Sequence, residues 1–166
     1  MSTIEAQTGY INLLINNSGI LGPSIKYPTS TDNILDLQKS LWESSPSAFQ
    51  QTFEVNNTAI YYTTVAFLDL LDKGNKHGGI PNVSSQVITV ASVAGFRREN
   101  RPPSIAYTVS KAAAVHLGKI LANLLIDYDI RSNIICPGIY PSGKNGLDFL
   151  RASMLKYYLN RNDRAT

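Results

Sequence analysis

The apolar positions of this chain fall into two kinds of run. Three are short and continuous: YINLLI at residues 10–15, QVITVA at 86–91 and IRSNIIC at 130–136. Each is rich in branched aliphatic residues and is followed by turn-forming residues, NNSG, SVAG and PG respectively. Runs of that length and composition predict buried strands. Two other runs are long and periodic. Over residues 46–72, Phe49, Phe53, Ile60, Thr64, Phe67 and Leu71 recur at helical intervals, and KGNKHGG predicts the end of that helix and a loop, with His77 a solvated loop residue. Residues 105–127 predict a second long helix with Ala113, Leu117, Ile120, Leu121, Leu124 and Tyr128 along one face. A shorter helix is predicted within TDNILDLQKSLWESS, where Ser45 or Ser47 would cap the helix that follows, and one more within FLRASMLKYYLNRND.

Strand, helix, strand, helix, strand is the order of an α/β fold: a parallel sheet covered by helices on its faces. Right-handed crossovers place the carboxyl ends of all the strands along one edge. Ligands of open α/β sheets bind at that edge, so the residues just past each strand carry the functional question.

Tyr107 and Lys111 stand four apart in YTVSK, at the start of the second long helix. Residues so spaced share a helix face, with Cβ atoms about 6 Å apart. A free phenol titrates near pH ~10, too high for a base at neutral pH, and a nearby ammonium favours its anion. The spacing therefore supplies what a tyrosine acid/base needs. The same four-residue spacing equally suits a packed tyrosine and a solvated lysine, so the context has to decide. Ser92 follows the second strand and offers a hydroxyl for a substrate oxygen. Asn56 lies inside the first long helix, where its propensity is unfavourable and another reason for it is needed. Pro137-Gly138 ends the third strand and leaves backbone room at the same edge.

Composition changes this picture little. The chain has 166 residues, 43% hydrophobic and 16% charged, the balance of one globular domain. The net charge of +3 is scattered rather than striped, which argues against nucleic acid as a partner. The one cysteine, Cys136, excludes an intrachain disulfide and reads as a small buried hydrophobe in IIC. His77 has no second histidine or cysteine nearby, so no metal site is expected. No run reaches the ~18 apolar residues of a membrane span. The start, MSTIEAQTGY, lacks the basic-then-apolar pattern of a secretory signal, so a cytoplasmic location is expected.

Five motifs in order, NNSG (16–19), VNNTA (55–59), VASVAG (90–95), YTVSK (107–111) and NIICPGIYPS (133–142), make the chain resemble the short-chain dehydrogenase/reductase family from Gly9 to Ser142. PGIYPS and the long loop before QVI look most like fungal members. The resemblance implies a Rossmann-like fold and hydride transfer between NAD or NADP and an alcohol or carbonyl substrate. It implies that Tyr107 is the general acid/base and that Lys111 assists Tyr107 and hydrogen-bonds the nicotinamide ribose. Ser92 would hold the substrate oxygen, and Asn56 would keep a water in a proton relay from Lys111. Asn16 and Gly19 match the motif beside the adenosine half of the cofactor, and Pro137, Gly138 and Ser142 the stretch that lines the nicotinamide. The family often pairs through its two long helices, so a homo-oligomer through 46–72 and 105–127 is expected.

Departures from the family pattern are also visible. Ser18 and Ala91 stand where alanine and serine are commoner. The interval from Ser92 to Tyr107 is longer than usual, with the extra length in FRRENRPPS, read as an insertion near the substrate mouth. Ile20, Leu21, Phe96 and Tyr140 would border an apolar pocket. The glycine-rich turn that cradles the pyrophosphate in the family has no counterpart. The expectation is thus a single partial Rossmann-like domain over 1–166, N-terminally truncated. It would keep strands 4-5-6 of the family order 3-2-1-4-5-6-7 and lack the glycine-rich cofactor-binding half and the last strand. Cofactor binding would be weak and residues 10–15 would form an exposed apolar edge. Two functional readings follow: the catalytic side of an oxidoreductase, or an inactive remnant that acts by association with a full-length relative.

Overall fold

A computed structural model describes residues 2–29, 33–77 and 83–138. Three strands, β1 (Leu13–Asn16), β2 (Gln86–Val90) and β3 (Arg131–Ile135), form one parallel sheet in the order β1-β2-β3. Leu14 pairs with Val87, and Thr89 pairs with Asn16 on one side and Ile134 on the other. This is the predicted α/β arrangement. β1 starts later than its apolar run because Ile11 N–H donates to the Leu70 carbonyl at 3.0 Å, which ties the approach to a helix instead of the ladder.

The helices are set by their caps. Asn33 Oδ1 takes the Leu35 N–H at 2.9 Å and starts α2 (Ile34–Trp42), after a short α1 (Ser2–Gln7) that the apolar pattern does not announce. Ser45, rather than Ser47, caps α3 (Pro46–Phe53) through the Ala48 N–H, with Pro46 in the first turn, where a missing N–H costs nothing. A π-helical segment (Glu54–Thr58) carries the chain without a break into α4 (Ala59–His77).

α4 therefore runs past the end predicted at residue 72, and His77 closes the helix, stacked on Tyr10 at 4.0 Å, rather than lying in a loop. The reason is Gly74. It is buried where a side chain would overlap the Ile11 carbonyl and crowd Ser85 Oγ, so the glycine serves a close helix–strand contact and not a helix end.

α5 (Ile105–Leu124) is capped by Ser104 and buries Ala106, Ser110, Lys111, Ala114, Val115, Gly118 and Leu121. Of the face expected from its large apolar residues, only Leu121 is fully buried; Ile120, Leu124 and Tyr128 are exposed. The stripe of small residues wins because it lets the helix backbone approach the sheet. At Gly118 any side chain would overlap Ile134.

Leu71 of α4 and Leu121 of α5 close over Val87 together with Leu125 and Ile130, and a second cluster joins Ile60, Ala91, Ala114 and Val115. Both helices thus cover the same face of the sheet. On the other face Leu13 is 46%, Ile15 53% and Ile135 49% exposed. Among the described residues no helix covers that face. The C-terminal helix expected in FLRASMLKYYLNRND lies outside the described residues.

Candidate active site

The start of α5 places the central pair. Ser104 Oγ receives the Tyr107 N–H at 3.2 Å, which puts Tyr107 in the first turn and Lys111 one turn further on the same face. Lys111 is only 4% exposed, and its Nζ donates to the carbonyl of Val90, the last residue of β2, at 2.9 Å. That ammonium lies 5.8 Å from the centre of the Tyr107 ring. Burial holds the Lys111 ammonium below its ordinary range, partly offset by Cys136. A charge so placed is poorly screened by water and acts strongly on its neighbours.

Asn56 sits in the π-helical segment and is fully buried. Its Oδ1 accepts the Ile20 N–H at 2.8 Å, while Nδ2 donates to the Ile20 carbonyl at 3.0 Å and to Ser110 Oγ at 2.8 Å. The helix-interior asparagine thus joins the turn after β1 to α5, and its own amide is fully satisfied. Gly19 lies against the same group: a Cβ there would stand 3.2 Å from Lys111 Nζ and 3.3 Å from Asn56 Oδ1. Only hydrogen leaves this contact uncrowded.

Ser92 caps the short turn Val93–Gly95, its Oγ accepting the Ala94 N–H at 3.1 Å. Gly95 brings that turn onto α5, where a Cβ would lie 2.8 Å from Ala112 N and 2.9 Å from the Lys111 carbonyl carbon. Asn16 is spent differently: it is buried, and its amide donates to Thr64 Oγ1 of α4 at 3.0 Å. Pro137 and Gly138 follow β3 and are exposed; Ser142 and Tyr140 lie outside the described residues. Ile20, Leu21 and Phe96 are exposed. Among the described residues no group of three His, Cys, Asp or Glu side chains is placed to hold a metal ion.

Tyr107, Lys111, Asn56, Gly19 and the Ser92 turn therefore converge on the edge where β1 and β2 end. Two residues that the sequence reading passed over take part. Ser110, inside YTVSK itself, is buried between the Asn56 amide and the Tyr107 carbonyl, which its hydroxyl reaches at 2.8 Å. Asn57 Nδ2 donates to the Ser110 carbonyl at 3.0 Å. A serine and a second asparagine inside helices are the signals that could have drawn attention to them.

The model of the short chain dehydrogenase family matches residues 1–146. The chain belongs to the short-chain dehydrogenase family. Among curated relatives it is 45% identical over 139 residues to the short-chain dehydrogenase/reductase PhomF' of Diaporthe leptostromiformis, an alignment covering 84% of this chain and 47% of that one. It is 39% identical over 152 residues to the short-chain dehydrogenase/reductase SAT3 of Stachybotrys chartarum, covering 84% and 55%. With the human estradiol 17-beta-dehydrogenase 11 it shares 32% identity over 143 residues, covering 84% and 39%. The first of these relatives are fungal, as PGIYPS and the loop before QVI suggest, and the chain spans about half of their length.

Solved structures agree on the fold. An NAD+-bound xylitol dehydrogenase superposes with a TM-score of 0.66 at 23% identity, covering 87% of this chain and 46% of that one. The Pseudomonas aeruginosa RhlG/NADP active-site complex does so at 0.67 and 23%, covering 87% and 48%. The three strands and their helices thus form part of a Rossmann-type dehydrogenase fold. No described helix is long and apolar enough to cross a membrane.

Proposed function

We propose that this chain carries the proton-transfer side of an NAD(P)-dependent oxidoreductase acting on an alcohol or carbonyl compound. The observation that carries the reading is the buried Lys111 ammonium, one helical turn from Tyr107 at the carboxyl end of β2. The residues present fit a nicotinamide ribose: Lys111 Nζ keeps N–H donors beyond the one given to Val90, and Gly19 sets only hydrogen against it. By the family pattern Gly19, Pro137, Gly138 and Ser142 would add cofactor contacts, while Asn16, its amide given to Thr64, would hold the turn that carries Gly19. When bound, the nicotinamide accepts or supplies the hydride.

This chain's residues then manage the proton. In oxidation, the deprotonated Tyr107 oxygen takes the proton of the substrate hydroxyl as the carbon gives up its hydride; in reduction, Tyr107 returns a proton to the carbonyl oxygen. Ser92 holds that oxygen in line with the phenol. Lys111 steadies the phenolate with its charge, and Asn56, fixed between Ile20 and Ser110, keeps a proton relay behind Lys111 in register.

Tyr107→Phe tests the assignment, because it removes the hydroxyl and keeps the ring. Turnover is expected to fall by about 10²–10⁴-fold, with NADH or NADPH affinity, read by fluorescence titration, nearly unchanged. A variant that keeps most of its turnover overturns the assignment.

A second reading is association with a full-length relative or another copy through the two long helices. The observation that favours it is the exposure of Tyr61, Tyr62 and Val65 on α4 and of Val109, Ile120 and Leu124 on α5. Sedimentation of the chain alone and mixed with a full-length relative separates the readings. A chain without turnover that forms a defined complex supports association, and an active monomer excludes it.

A further inference from the structure

The segments that leave β1 and β2 are tied to each other by contacts that neither the core nor the Tyr107–Lys111 pair uses. After Ile20, gripped by Asn56, the chain turns at Gly22, whose φ of +70° and contact with Thr52 leave no space for a side chain. It then runs alongside the segment that follows β2. Ile25 N–H donates to the Pro103 carbonyl at 3.0 Å, and the Tyr27 hydroxyl donates to the Pro102 carbonyl at 3.0 Å. In return Arg101 Nη1 donates to the Pro28 carbonyl at 3.2 Å, with its guanidinium 5.7 Å from the centre of the Tyr27 ring.

The acceptors are two consecutive prolines. They have no N–H for a ladder of their own; each ring fixes φ, and Pro103 also narrows the ψ that aims the Pro102 carbonyl. Ser104 comes next. It is fully buried, and its hydroxyl caps α5 by receiving the Tyr107 N–H. The residue that accepts the Ile25 N–H is therefore directly followed by the cap that sets Tyr107. The strap from Ile20 to Tyr27 holds α5 at two places: through Asn56 and Ser110 at one end, and through Pro102 and Pro103 at the other.

We propose that Tyr27 and Arg101 are positioning residues: their clasp across the two segments fixes the first turn of α5, and so the direction in which Tyr107 presents its hydroxyl. This rests on the reading of Tyr107 as the acid/base. Burial raises the Tyr27 pKa, against the opposing pull of Arg101, which keeps the phenol in its donor form. The clasp lies in FRRENRPPS, the stretch between Ser92 and the cap of α5, and brings Arg101 and the two prolines to the strap.

The test uses the whole chain in four forms: wild type, Tyr27→Phe, Arg101→Ala and Arg101→Lys. Amide hydrogen exchange is followed at Ile25, Tyr107 and Leu71, and steady-state turnover with NADH and NADPH over a panel of small ketones and aldehydes. Tyr27→Phe and Arg101→Ala are expected to speed exchange at both Ile25 and Tyr107 roughly tenfold and leave Leu71 unchanged, since local opening frees only the segment that has lost its contacts. They should lower kcat by about tenfold, a misplacement effect, with KM for the cofactor within about twofold. Arg101→Lys should recover part of both. Faster exchange at Ile25 alone, with Tyr107 protection and kcat at wild-type levels, overturns the proposal. Wild-type protein inert toward the whole panel would count against the oxidoreductase reading instead, and Tyr107 exchange would still decide the clasp.

Discussion

On one face of the sheet Leu14, Val87 and Ile134 lie beneath α4 and α5, while on the other Leu13, Ile15 and Ile135 meet solvent. The two sets are chemically alike, and the pleat alone assigns each residue to its face. What separates them, among the described residues, is whether a helix arrives. The covered face carries the core, and it also carries the candidate site, because α5 and the π-helical segment bring Tyr107, Lys111 and Asn56 to the strand ends from that side. A single layer of helices is enough to converge these groups. The bare face contributes none of them and leaves an apolar surface of a kind that attracts other chains.

Leu71→Ala should do the most damage to the covered face, because Leu71 is fully buried against Val87 and Leu121. A loss of about 3 kcal/mol is expected from the vacated volume, read from urea unfolding. Gly74→Ala comes next, since its methyl group would overlap the Ile11 carbonyl. Overpacking less the gain in helix propensity leaves about 2 kcal/mol of destabilisation. Removing the cap with Ser104→Ala should cost about 1 kcal/mol and lower turnover as the first turn of α5 frays.

The smallest effect is expected on the bare face. Ile15→Thr should change stability by no more than about 0.5 kcal/mol, as for exposed sites in general, and should reduce self-association seen by light scattering. A cost above roughly 1.5 kcal/mol, the scale of burying an apolar side chain, would mean that something covers Ile15 and would erase the contrast between the faces.

Much of this was legible in the sequence. The three strands, the two long helices and their order follow from run length and periodicity, and the family follows from five motifs in order. The meeting of Tyr107 and Lys111 follows from helical spacing. What was not legible depends on distance between backbones. Gly74 looks like a helix end until Ile11 is placed beside it, and Gly118 looks neutral until Ile134 lies over it. The buried side of α5 is hidden for the same reason: large side chains suggest a core face, and close packing selects small ones. The Asn56 network was half visible, since an asparagine inside a helix asks for a partner. That the partner is the backbone of Ile20 becomes clear only with the turn after β1 in place. Tyr27 and Arg101 carry no periodic signal at all.

The π-helical segment from Glu54 to Thr58 divides the work of one continuous helix. Ala59 N–H reaches back five residues to the Glu54 carbonyl, so the rod gains a residue without gaining a turn. Upstream, Thr52 is phased against the strap at Gly22; downstream, Ile60, Thr64 and Leu71 are phased against the sheet. The segment thus works as a coupling between two rulers of different zero. Deleting one residue here, Val55 for instance, would restore a regular α-helix with both phases kept, and what would move is the widened turn that aims Asn56 and Asn57 at Ile20 and Ser110. A mutation that shortens the chain by a single amino acid would thereby spare the strap and the core and still unseat Asn56, with every named residue of the site present.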